Sequence, residues 1–163
     1  MGACRALWGT SPASFSSPTV RFTDMHCEPR PASVDDIPIW FGGRCTPHLV
    51  RRVADWGHGF LPHLDAGTIW EEVGEQTSRI TDAMRAAGRD PSALEVGVRF
   101  PPFGKPFPRA LDEDLPALAA AGVTQLYVPI VASRTLAAAR SVVEELARDF
   151  EPYRTVPAAP NER

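Results

Sequence analysis

Residues 38–47 read Pro-Ile-Trp-Phe-Gly-Gly-Arg-Cys-Thr-Pro, and this stretch decides the fold. Ile39, Trp40 and Phe41 form a short apolar run that Gly42 and Gly43 close. Runs of that kind read as strands buried in a parallel sheet. Thr46 then offers a hydroxyl to cap a helix, and Pro47 takes the first helical position, where its missing N–H costs nothing. Leu49, Val50, Val53, Ala54 and Trp56 fall on one helical face, and Gly57 ends it. The stretch is therefore a strand-to-helix junction.

The same unit recurs three more times. Residues 59–63 (GFLPH) form a second strand, followed by a helix that Thr68 and Glu71 open as a capping box. Ile69, Val73, Ile80, Met84 and Ala87 keep helical spacing up to Gly88. Residues 94–100 alternate, with Leu94, Val96, Val98 and Phe100 on one face and Glu95, Gly97 and Arg99 on the other. A proline-rich loop over residues 101–108 leads to a helix near residues 111–121. Residues 125–131 (QLYVPIV) form the fourth strand. Ser133 caps a last helix whose stripe is Leu136, Ala139, Val143, Leu146 and Phe150, and Pro152 stops it. Strands alternating with helices predict an α/β fold with parallel pairing through right-handed crossovers. Two architectures satisfy that order: an open doubly wound sheet, or part of a (β/α) barrel. Upstream, residues 5–8 fit the last turn of a helix. Residues 10–18, rich in Ser and Pro, read as loop, and residues 19–24 as a short strand or hairpin arm. The expected division is an irregular insertion over 1–37, four βα units over 38–154, and a frayed tail over 155–163.

Composition bounds the function. The chain has 163 residues, 44% hydrophobic and 23% charged, with net charge −3. That is a globular composition with enough length for one core. A complete eight-stranded (β/α) barrel needs roughly 200–250 residues. Arginines are scattered beside acids, so no basic stripe points to nucleic acid. No run approaches the length of a membrane span. Residues 1–10 carry no apolar core of a secretory signal. Cys4, Cys27 and Cys45 are odd in number and widely spaced, which fits free thiols in a reducing, cytoplasmic setting.

Ligands of parallel α/β folds meet the carboxyl ends of the strands. Gly42 and Gly43 stand at such an end, just before a helix whose N-terminal amides and dipole suit a phosphate. The same pair also serves as a plain tight turn. No Walker or GxGxxG pattern is present. His63 ends the second strand and Arg99 nearly ends the third, so both are candidates to touch a substrate. A rim histidine and an Arg99–Glu95 ion pair are the competing structural readings. Cys45 and His48 have half the spacing of a metal site, but no clean second pair completes it, so no metal is assigned. Trp56 and Trp70 read as core.

The chain resembles the luciferase-like monooxygenase superfamily. The resemblance is carried by Pro38-Ile-Trp-Phe-Gly-Gly43, the arginine-rich helix 49–56, Gly57-His-Gly-Phe60 and Ala86-Ala-Gly-Arg-Asp-Pro91. Leu7-Trp8, Phe15, Val20-Arg-Phe22 and Pro29-Arg-Pro31 resemble the insertion before that strand. The likeness spans about residues 5–150 and is nearest to the enzymes that use coenzyme F420. It implies the C-terminal half of a (β/α) barrel, a hydride-transferring oxidoreductase acting on an organic small molecule. F420 is the implied cofactor; the alternative is an FMN-dependent monooxygenase of the same superfamily. The cofactor phosphate would meet the backbone of Trp40, Phe41, Gly42 and Gly43; Arg44 and Thr46 add a charge and a hydroxyl at the helix start. The family usually has Asp and Trp where His58 and Phe60 stand. Catalytic side chains of the family come mostly from the other half, so none is carried over. An open half-barrel also predicts self-association or a partner chain, and admits a non-catalytic role.

Overall fold

The computed structural model describes residues 1–34, 37–65, 69–100, 107–129 and 135–153. Four strands form one parallel sheet: β3 (Trp40–Gly43), β4 (Gly59–Pro62), β5 (Glu95–Arg99) and β6 (Gln125–Tyr127), in that spatial order. Each is followed by a helix: α2 (Pro47–Trp56), α3 (Trp70–Ala86), α4 (Phe107–Ala120) and α5 (Leu136–Phe150). Strand order therefore equals chain order, the arrangement of barrel strands rather than of a doubly wound sheet, where the order reverses at a switch point.

One face of the sheet is packed. Phe60, Val96, Val98 and Phe100 are at most 1% exposed and join Val53 of α2, Val73, Ile80 and Met84 of α3, and Leu118 of α4 in a single core. Each such side chain contributes roughly 1.5–3 kcal/mol by leaving water. Thr46 caps α2 as expected: its Oγ1 accepts the Leu49 N–H at 3.2 Å.

The turn over residues 86–91 proves to be scaffold. Arg89 reaches back to the carboxyl end of α2 and donates to the carbonyls of Val53, Ala54 and Gly57 at 2.9, 3.0 and 2.7 Å. The Ala54 and Gly57 carbonyls belong to the last turn, which a helix leaves without backbone partners, while the Val53 carbonyl also accepts the Gly57 N–H at 2.8 Å; a guanidinium fork can bond several at once. Asp90 caps the following 3-10 turn (Pro91–Ala93) by accepting from the amide and hydroxyl of Ser92.

In the N-terminal region the helix turn expected at residues 5–8 and the hairpin arm expected at 19–24 are present, and only residues 13–16 depart from the expected loop. Helix α1 (Gly2–Gly9) precedes an antiparallel pair, β1 (Ala13–Ser16) and β2 (Arg21–Met25). Phe15 and Phe22 stack at 5.9 Å, and Ala13 is buried. Ser and Pro disguised the first strand, because four residues acquire strand character only through their partner. Trp56, expected in the core, is 37% exposed beneath the Arg5 guanidinium, 5.3 Å from its ring. Trp70 does pack against the core.

Four other boundaries shift. The N-cap of α3 is Ile69 without a side-chain bond, and Ile69 is 54% exposed; Thr68 lies outside the described residues. Thr135, not Ser133, caps α5: its Oγ1 accepts the Ala138 N–H at 3.2 Å, and Ser133 also lies outside the described residues. The fourth strand ends at Tyr127, and α4 begins at Phe107, inside the expected proline-rich loop, whose residues 101–106 are not described. The stripe of α5 is correctly spaced but only partly covered among the described residues: Phe150 packs against the core, whereas Leu136 and Val143 are exposed. None of its residues is buried, and Leu136 is 80% exposed. It follows an edge strand of three residues, which offers little surface to pack on. The tail over residues 155–163 lies outside the described residues.

Candidate functional site

The second face of the sheet is different in kind. Strand register places Trp40 beside Gly59, Gly42 beside Leu61, and Gly97 beside Gln125. Alternation puts these residues on the face opposite the helix-packed core. The face is built from two large rings over two glycines. A Cβ on Gly59 would collide with the Trp40 ring, and one on Gly97 with the Tyr127 ring. Because both positions are glycine, Trp40 and Tyr127 meet across the intervening strands, edge to face, with centroids 6.3 Å apart.

At the carboxyl ends of the strands this face opens into a cleft of about 390 Å³. Its lining takes one contribution from each strand or strand end: Gly43, Leu61 with His63, Gly97 with Arg99, and Tyr127. Backbone bonds fix the relative heights of these groups. The His63 N–H donates to the Gly43 carbonyl at 3.1 Å, and Arg99 is the register partner of Tyr127. Gly43 has φ of +133°, a conformation that a side chain would strain, so glycine is required at this lip. The volume lies at the lower end of that of small-molecule sites, which begin at roughly 300 Å³.

The expected site residues divide here. Gly43, His63 and Arg99 line the cleft together. Gly42 is exposed on the same strand and face as Trp40. Phe41 turns its ring to the opposite face, 8% exposed, with the Arg52 guanidinium 4.8 Å above it, so only its backbone is presented at the strand end. Arg44 and Thr46 are exposed at the start of α2, and the Thr46 hydroxyl oxygen already accepts the capping bond. The sequence reading missed Leu61, Gly97 and Tyr127. Period-two alternation places Gly97 with Arg99, but the nearness of Tyr127 depends on the β5–β6 register.

His58 stands where a carboxylate was expected. Its Nδ1 accepts the Ile39 N–H at 3.0 Å, and its own N–H donates to the Ile39 carbonyl at 2.7 Å. It therefore pins the start of β3 to that of β4, far from the cleft. A carboxylate oxygen could accept the same bond. Cys45 is half-buried, and burial raises its thiol pKa, partly offset by Arg79. Among the described residues no group of three or more His, Cys, Asp and Glu side chains is placed to hold a metal ion, and no helix is long and apolar enough to cross a membrane.

A family model described as luciferase-like monooxygenase matches residues 1–162. No curated protein matches the chain. Among solved structures, the coenzyme F420 dependent tetrahydromethanopterin reductase from Methanopyrus kandleri aligns with a TM-score of 0.58 at 15% identity, over 76% of this chain and 53% of that one. The monooxygenase RslO1 from Streptomyces bottropensis aligns with a TM-score of 0.50 at 22% identity, over 91% of this chain and 41% of that one. The chain thus spans about half the length of these solved relatives, or less, and at these identities the likeness is one of fold.

Proposed function

Because the chain belongs to the luciferase-like monooxygenase family, we propose that it forms the phosphate-binding side of an oxidoreductase that uses coenzyme F420, with FMN the alternative cofactor. In this reading its four strands are the C-terminal half of a barrel, and the intact enzyme is cytoplasmic and acts on an organic small molecule. The observation that carries the reading is the cleft: Gly43, held at φ +133°, shares it with His63 and Arg99 at the carboxyl ends of the strands. The residues fit such a group. The glycine lip leaves room for a phosphate beside the start of α2, where helix amides and Arg44 favour negative charge. When bound, the cofactor would supply the hydride chemistry. The protein's part is to anchor the phosphate at Gly42 and Gly43 and to present His63 and Arg99 to the ligand.

Titration of F420 and of FMN against the chain and its Gly43→Asp variant tests this. Saturable binding that the variant loses is expected, since the new carboxylate repels phosphate and strains the backbone. Equal binding by both forms overturns the assignment.

One observation favours a second reading, a non-catalytic half-barrel that associates with another copy or another chain. Among the described residues the sheet has two edge strands, β3 and β6, and Leu136 and Val143 of α5 are exposed. Light scattering on the purified chain separates the two. A monomer that binds cofactor supports the first reading, and an assembly that binds neither cofactor supports the second.

A further inference from the structure

Tyr127 has no part in anchoring a phosphate, yet it is the largest side chain lining the cleft and is 45% exposed. An exposed aromatic standing in a concave site is the informative kind of exposure. Its ring is held in place from two directions. The edge-to-face contact with Trp40, at an interplanar angle of 85°, supports one side. Its hydroxyl donates to Gln125 Oε1 at 3.1 Å. Gly97 keeps the floor beside it flat. Any Cβ there would strike the Tyr127 ring and would also lie 3.0 Å from Leu61 Cδ2 and 3.1 Å from Trp40 Cζ3. The cleft thus joins a flat apolar floor of Leu61, Gly97 and Tyr127 to a polar margin carrying His63 and Arg99. A rigid tyrosine loses little rotamer freedom on binding, which suits it to stacking.

We propose that Tyr127 and Gly97 form a ring-binding platform, with Tyr127 the positioning residue that stacks a planar conjugated ring whose oxygen-bearing edge faces Arg99 and His63. The inference deepens the cofactor reading and rests on it for the occupant: the ring is that of the cofactor or of an aromatic substrate.

Lumichrome, a planar dicarbonyl tricycle with no phosphate chain, is the probe, followed by its fluorescence on titration with the full chain. Tyr127→Phe keeps most of the affinity, because the ring and its Trp40 contact remain and only the Gln125 bond is lost. Tyr127→Leu, which keeps apolar bulk but no ring, loses roughly five- to tenfold. Gly97→Ala loses a similar factor by displacing the ring, and Gly97→Ala combined with Tyr127→Leu loses no more than either alone, because both act on one platform. Thermal melts establish that each variant is folded. Competition between lumichrome and FMN assigns the platform to the cofactor ring; simultaneous binding assigns it to substrate. Absence of saturable lumichrome binding, or equal affinity in the folded Leu variant, overturns the proposal. If Gly43→Asp abolishes FMN binding while Tyr127→Leu changes nothing, the platform falls and the phosphate reading stands. If lumichrome binding follows Tyr127 but neither F420 nor FMN binds, the reverse holds.

Discussion

The two faces of the four-stranded sheet are built from the same short strands and behave as different materials. On the helix side, Phe60, Val96, Val98 and Phe100 are sealed against three helices. On the other side, neighbouring residues of the same strands are two glycines, two large rings and a polar margin, and Tyr127 remains 45% exposed. The first face is complete within the chain. Among the described residues the second is filled only at its base, by Trp40 and Tyr127 meeting over glycine, and is open at the strand ends. Stability is thus concentrated on one side of the sheet and ligand chemistry on the other, with single residues separating them along each strand.

Phe60 and Leu61, adjacent on β4 and pointing to opposite faces, allow the sharpest attack on that contrast. Phe60→Ala should cost about 3–5 kcal/mol in urea unfolding, as a fully buried ring leaves a cavity. Leu61→Ala should cost below about 2 kcal/mol, because half-buried Leu61 already lies partly in water. Equal costs would mean that the open face is a packed core and would end the comparison.

Next in size is Arg89, which ties the end of α2 to the turn before β5. Arg89→Ala removes the donor from the carbonyls of Ala54 and Gly57, leaves that of Val53 only its bond from the Gly57 N–H, and should lower stability by about 1–3 kcal/mol. Arg89→Lys should recover little, since one ammonium lacks the planar fork that spans three acceptors. An unchanged unfolding midpoint in the Ala variant would show that packing alone holds α2 to the sheet.

The smallest effect belongs to Asp90. The hydroxyl and amide of Ser92 hold its carboxyl below the ordinary value. A depressed folded pKa means that the contribution is present above the unfolded carboxylate pKa, about 4, and is lost as pH falls through the folded value. Wild type should therefore lose slightly more stability than Asp90→Asn between about pH 4 and pH 2. Parallel acid limbs for the two proteins would remove Asp90 as an acid-sensitive cap.

Much of the helix-packed side was legible in sequence, because it is written in local periodicity. Thr46 and Pro47 marked the start of α2, and the spacing of Val73, Ile80 and Met84 marked the buried side of α3. Local pattern failed where partners decide. Residues 13–16 become a strand only against β2, Trp56 is drawn out under Arg5, and among the described residues the α5 stripe reaches the core only at Phe150. The site was half legible. Gly43, His63 and Arg99 could be named from their places at strand ends, but Tyr127 could not.

Periodicity and caps along the chain were enough to establish four successive βα units and the chemical character of their ends, because each depends on neighbours within a few residues. The tertiary structure alone decided that Gly43, His63, Arg99 and Tyr127 share one cleft, and that Gly59 and Gly97 let two distant rings meet. Those are facts of strand register and curvature, which bring together residues more than 80 positions apart in sequence, from Gly43 to Tyr127, and leave no mark in any local window.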